Sequence, residues 1–181
     1  MAVRSSARRR SVPVLLVVGA LVVASLTGCS SRSGVAAVVD GHEISIAELQ
    51  QATVEVTPYA TNATPAGVLM VLLSAGPFEA AAEKAGVAVS APMALETLTQ
   101  EAESKSPGAT VHFGSGAIEV ARFSLIRQNL STLPDGDAIT AATEAAIKKL
   151  DITINPRYGS FSDGTISPAA YPWIVAVAPA G

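Results

Sequence analysis

VAAVVDGHEISIAELQQ, residues 35–51, changes its period midway, and that change decides the fold. Val35–Val39 is a run of strand-forming residues, and Asp40-Gly41 is a strong two-residue hairpin signal. The second arm must be short, because Ser45 opens a helix. Ser45 and Glu48 have the S-x-x-E spacing of a capping box, and Ile44 and Leu49 hold the hydrophobic staple positions. Ile46, Leu49, Thr53 and Val56 then recur at helical spacing, so the spacing predicts a helix that stops before Pro58.

An isolated strand leaves its backbone groups unpaired, so each strand needs a partner. The other clear strand signal lies far along the chain, in LDITIN at 150–155, where Ile152 and Ile154 share one face and Pro156 ends the run. These two segments are expected to pair and close the domain.

Everything between them reads as helix. Thr64-Pro65 starts a second helix, with Val68–Leu73 apolar all round as its buried centre. Gly76-Pro77 is expected to break or kink it before Phe78–Ala85, and Gly86 to cap it. Ser90 caps a third helix reaching about Ser104, with Met93, Thr97 and Gln100 on one side and Leu95 and Leu98 on another. A loop, 105–116, precedes a fourth helix at about 117–132, which carries Phe123, Ile126 and Leu130 on one stripe. A fifth follows at about 138–149, with Ile139, Ala142, Ala146 and Leu150 in register. The remainder, RYGSFSDGTISPAAYPWIVAVAPAG, has too many Pro and Gly for a sheet or a helix, and residues 162–181 are read as a tail. The expected class is mainly α (α+β): five helices framed by paired N- and C-terminal strands.

Upstream of this block, Arg4, Arg8, Arg9 and Arg10 precede the uncharged run VPVLLVVGALVVASLT at 12–27. A basic start followed by a short apolar segment is the layout of a secretory signal. As a helix it would span about 24 Å, short of the roughly 30 Å hydrocarbon core. Leu26-Thr27-Gly28-Cys29 resembles a bacterial lipobox, and Cys29 is the sole cysteine. The resemblance implies cleavage after Gly28 and acylation of Cys29, so that 1–28 is signal peptide and 29–34 a lipidated tether. Two or more acyl chains hold a protein stably on a membrane, whereas one is marginal. The mature chain would keep eight basic residues against fifteen acidic ones, a balance of −7. An acidic body argues against nucleic acid as a partner and places attachment on the lipid. With its one thiol acylated the domain would contain no disulfide, and its stability must come from packing.

Three patches share a further resemblance. AAVVDGHEISIAELQQ at 36–51, AAEKAGVAVSAPMALETL at 81–98 and LDITINPRYG at 150–159 resemble, in that order, segments of the N-terminal domain of SurA-type periplasmic chaperones and their lipoprotein relatives. The likeness covers about residues 35–161. In relatives with prolyl isomerase activity a parvulin domain of about ninety residues interrupts the chain, but the twelve-residue loop 105–116 cannot fold into one. The resemblance therefore implies the helical, chaperone-like part without the enzyme.

The residues themselves offer little chemistry. His42 and His112 are the only histidines, neither at metal-ligand spacing from another histidine or the cysteine, so no metal or cofactor is expected. His42 reads as a solvent-facing strand residue, and His112 as a loop residue beside Phe113. Gly114-Ser115-Gly116 lacks the lysine and the spacing of a phosphate-binding loop. Asn155-Pro156-Arg157-Tyr158-Gly159 is the most distinctive run: Arg157 and Tyr158 are candidates, with Phe123, to contact a bound peptide. The alternative is that Tyr158 packs over the helices and Arg157 pairs with a carboxylate.

The expected role is a lipid-anchored, non-catalytic module on the extracytoplasmic face of the cell membrane that binds unfolded or extended polypeptide clients. The alternative is an accessory lipoprotein docked permanently on one envelope complex. An exposed apolar groove between helices marks the first, and one flat apolar patch the second. An enzyme would need a pocket converging on His112 with acidic neighbours.

Overall fold

The sheet that closes the domain is built from both ends of the helical block. In the computed structural model, β1 (Val35–Val39) lies between β2 (His42–Ser45) and β3 (Ile152–Ile154), antiparallel to both. Asp40 and Gly41 both have positive φ, as the tight β1–β2 turn demands. Ala37 faces Ile44 on one side and Ile154 on the other. The expected pairing of the distant strands is therefore present. Asn155 carries it one residue further, its backbone N–H donating to the Ala36 carbonyl at 2.8 Å and its Nδ2 to the Val35 carbonyl at 3.0 Å.

The structure describes residues 33–61, 63–108 and 110–168. By its contacts the chain divides into Met1–Ser30 and Ser31–Gly181. The expected signal peptide and Cys29 lie outside the described residues, as do residues 169–181 of the tail.

The five helices are α1 (Ile46–Val56), α2 (Pro65–Ala85), α3 (Ala91–Lys105), α4 (Ser115–Ser131) and α5 (Gly136–Ile147). Three of them begin where a hydroxyl can satisfy an orphan N–H. Ser45 Oγ accepts from the Glu48 N–H at 3.0 Å, Thr64 Oγ1 from Gly67 at 3.1 Å, and Ser90 Oγ from Met93 at 3.4 Å. Gly86, at φ +71°, ends α2 in the left-handed cap.

Two apolar clusters fill the interior, and α2 contributes to both. One gathers Ala36, Ala37, Leu49, Val68, Leu69 and Leu73 under the sheet. The other gathers Phe78, Ala82, Val89, Ile126, Leu130 and Ile147. By length and composition α2 is apolar enough to cross a membrane, but it is the helix around which both clusters are built.

Four expectations need correction. Pro77 does not break α2, which runs continuously from Pro65 to Ala85; the ring removes one N–H from the ladder, and packing in both clusters holds the helix. On α3 the buried stripe is Ala94, Leu98 and Ala102, while Met93 and Leu95 are exposed. Alanine is small enough to let α3 approach α4 closely, and closeness of approach decided the stripe over side-chain size. On α5 the buried residues are Gly136, Thr143 and Ile147; of the expected stripe, Ile139 and Leu150 pack on the second cluster, but Ala142 and Ala146 are exposed. Finally, the tail does not begin at residue 162. Strands β4 (Ser160–Ser162) and β5 (Thr165–Ser167) form a hairpin around Asp163-Gly164. The half-buried Phe161 and Ile166 pack on the second and first clusters respectively, so the domain extends past residue 161.

Candidate functional site

Small residues on two neighbouring helices leave a trough. Ala80, Ala81 and Ala85 of α2 face Ile139, Ala142 and Ala146 of α5, and methyl groups cannot fill the space between the helices. The result is an apolar groove of about 630 Å³, with Pro77 and Leu133 in its walls and Lys84 and Asp135 also lining it. That volume falls within the ordinary range for ligand clefts. The small residues of the α5 stripe make it: Ala142 and Ala146 lie in the groove, not in the core.

A second cleft, of about 420 Å³, opens between α2, α4, α5 and the β4–β5 turn. Phe78 and Phe123 meet edge to face there, their centroids 5.1 Å apart. The Arg127 guanidinium lies 5.6 Å from the Phe78 ring centre and 5.9 Å from that of Phe123. Glu144, Lys148 and Asp163 place charge around it. A cation held on two aromatic faces fills this cleft more than it advertises a ligand.

The three candidate peptide contacts do not share one place. Phe123 lines this second cleft and packs on the second cluster. Tyr158 is half-buried against the first, and its hydroxyl is buried without a hydrogen-bond partner among the described residues. Arg157 is exposed in the turn after β3, its backbone N–H donating to Asn155 Oδ1 at 3.1 Å. No ion pair joins Arg157 to a carboxylate among the described residues. His42 is exposed on β2 opposite Val39, and His112 is exposed and lines none of these clefts.

One cluster escaped the sequence reading. Arg122 of α4 binds Glu79 of α2 and, at 3.0 Å, Glu119 of its own helix, while its Nε donates to the Val89 carbonyl at 2.7 Å. Asn129 Nδ2 reaches the Val87 carbonyl at 3.3 Å. Together they tie the linker between α2 and α3 onto α4. Burial pushes the Glu79 carboxyl up from its ordinary 4.5 to about 7, helped by its hydrogen bond to Glu119 and that group's charge; Arg122 pulls the other way and is outweighed. Glu119 and Arg122 are three apart on one helix, a legible pair, but nothing in the sequence announces Glu79 as their third member. Among the described residues no group of three His, Cys, Asp or Glu could hold a metal ion.

No protein-family model matches the chain, no curated protein matches it, and no solved structure matches its fold.

Proposed function

We propose that this chain is a lipid-anchored, non-catalytic binding module of the cell envelope, of SurA N-terminal type, that holds extended apolar polypeptide in the groove between α2 and α5. The observation that carries the reading is the groove itself: an open apolar trough lined by alanines and accompanied by one basic and one acidic residue. Burial of apolar surface drives such contacts, and they depend little on sequence or salt. An acidic body, at −7 for residues 29–181, keeps a surface of this kind soluble.

Residues 30–181 should slow aggregation of a denatured model protein and leave the rate of proline-limited refolding unchanged. Ala142→Arg places a long cation in the groove from an exposed position and should abolish the protection while leaving the fold intact. Full protection by that variant would move the binding surface elsewhere. If no client is protected and one envelope protein co-purifies stoichiometrically, the chain is a dedicated accessory subunit.

A further inference from the structure

Arg122 fastens three parts of the fold at one point. Its Nη1 meets the carboxylates of Glu79 on α2 and Glu119 on α4, and its Nε holds the Val89 carbonyl in the linker 86–90. All three charged side chains are largely covered. Two carboxylates on one guanidinium nitrogen lie close enough to bond each other, and Glu79 and Glu119 do so. An ionised carboxylate only accepts, so that bond needs a proton on one of the two. With the proton, one carboxylate faces one guanidinium. Without it, two anions share a single cation in a largely covered site.

No other cation relieves them among the described residues. Glu83, one turn along α2, adds repulsion. The linker, β1 and β5 carry no charged residue. On α1, Glu48 and Glu55 lie at the start of α4, beside Gly116 and Gly114. On α5, Glu144 and Lys148 lie with Arg127 in the cleft at Phe78. On α3, Glu96 is exposed and bonded to Gln100, and Glu101, Glu103 and Lys105 belong to its far end.

Packing decides which element yields. Phe78 and Ala82 of α2 join Ile126 and Leu130 of α4 in the second cluster, so these two helices are fixed to each other. The linker is held on α4 by two side-chain bonds, from Arg122 to Val89 and from Asn129 to Val87. α3, into which it leads, packs mainly on α4.

We propose that Glu79 and Glu119, bridged by Arg122, form a proton-operated latch on the start of α3. It is closed while the pair holds its proton; when the proton leaves, the linker and the first turn of α3 come away from α4. The device goes beyond the groove reading and needs no client. The proton is kept to near neutrality, because burial raises the Glu79 carboxyl to about 7.

Hydrogen exchange on the full chain in mild detergent, corrected for the intrinsic effect of pH on amides, reads the latch. The Val87 and Ala94 amides are the probes, bonded to the Ala82 and Ser90 carbonyls. Their protection should fall about tenfold between about pH 6 and pH 8, as a carboxyl raised from 4.5 to about 7 on closing requires. At the higher pH both should exchange well ahead of the buried Leu49. The Glu79 carboxyl carbon should titrate across the same range. Glu79→Gln, neutral throughout, should keep its protection at these two amides from one pH to the other. A Glu79 carbon already titrated below that range would overturn the proposal, and so would protection in the parent that ignores pH. An equal fall in Glu79→Gln, or exchange at Val87 and Ala94 in step with Leu49, would overturn it as well. Should that variant fail to fold, the carboxyl titration and the parent's exchange decide by themselves.

Discussion

Asp40 and Asp151, 111 residues apart, exchange two hydrogen bonds: the Asp40 N–H donates to the Asp151 carbonyl at 3.0 Å, and the Asp151 N–H to Asp40 Oδ1 at 3.1 Å. The residue that makes the first hairpin turn thus also receives the chain as it returns from α5. One residue serves both jobs: its φ of +46° makes the turn, and its carboxylate accepts from Asp151.

Asp40→Ala removes the acceptor and puts a less tolerant residue at positive φ, so it should destabilise the domain by about 1–2 kcal/mol. Asp40→Asn keeps the acceptor and the left-handed preference, and should be nearly neutral. Urea denaturation of the two variants separates turn conformation and hydrogen bond from charge. Equal losses would make the charge the important part.

The pH dependence has a definite sign. Because the Glu79 carboxyl is raised to about 7 in the folded protein, the native state binds more protons than the unfolded chain between 4.5 and 7. Its contribution is complete below 4.5 and is lost as pH rises through about 7. Glu79→Gln should therefore be more stable than the parent at about pH 8, with the advantage shrinking towards acid. Denaturation midpoints across that window check it; a variant uniformly weaker at every pH would show that the contact with Arg122 dominates.

Tyr158→Phe offers a sharp contrast. The hydroxyl is buried and has no partner among the described residues, so deleting it should leave stability unchanged or raise it by up to about 1 kcal/mol. A loss of client protection in that variant, with stability intact, would return Tyr158 to the binding surface.

Gly159 is at φ +125° with the Ser167 carbonyl against it, and both facts forbid a side chain. Gly159→Ala should detach β4 and β5 from the domain, costing about 2 kcal/mol or more. Hydrogen exchange should quicken at Phe161 and Ile166 while β1 stays protected. Loss of protection in β1 as well would show that the hairpin and the three-stranded sheet open together.

What the sequence made legible were features with local causes. Ser45, Thr64 and Ser90 mark helix starts because a hydroxyl beside free N–H groups acts within four residues. The pairing of β1 with β3 was legible because both ends of the helical block carried a strand signal, and strand backbone groups need partners. The misreadings share another cause. Pro77 is tolerated because tertiary packing outweighs one missing hydrogen bond, which no local window contains. Ala142 and Ala146 share the helical stripe of Ile139 and Leu150, but whether an alanine lines a contact, as Ala94 and Ala102 do, or a groove depends on how far away the next helix lies. The β4–β5 hairpin carried its signal openly in Asp163-Gly164, the dipeptide that turns β1 into β2, with φ again positive at both residues. Its arms, Ser160–Ser162 and Thr165–Ser167, each have one apolar residue, so the turn had no visible strands to join.

The central position of β1 also sets an order of events during synthesis. β1 and β2 can pair within a few residues of their appearance, but the other edge of β1 waits for Ile152. Closing so long a loop carries an entropy cost that no local contact repays beforehand, and such contacts form late. Until the ribosome has released the chain through Asn155, the nascent protein carries an open strand edge near its front. A chain stalled after α5 would have all five helices and no lock, and that truncated product, not the finished domain, is the species most prone to join another copy edge to edge.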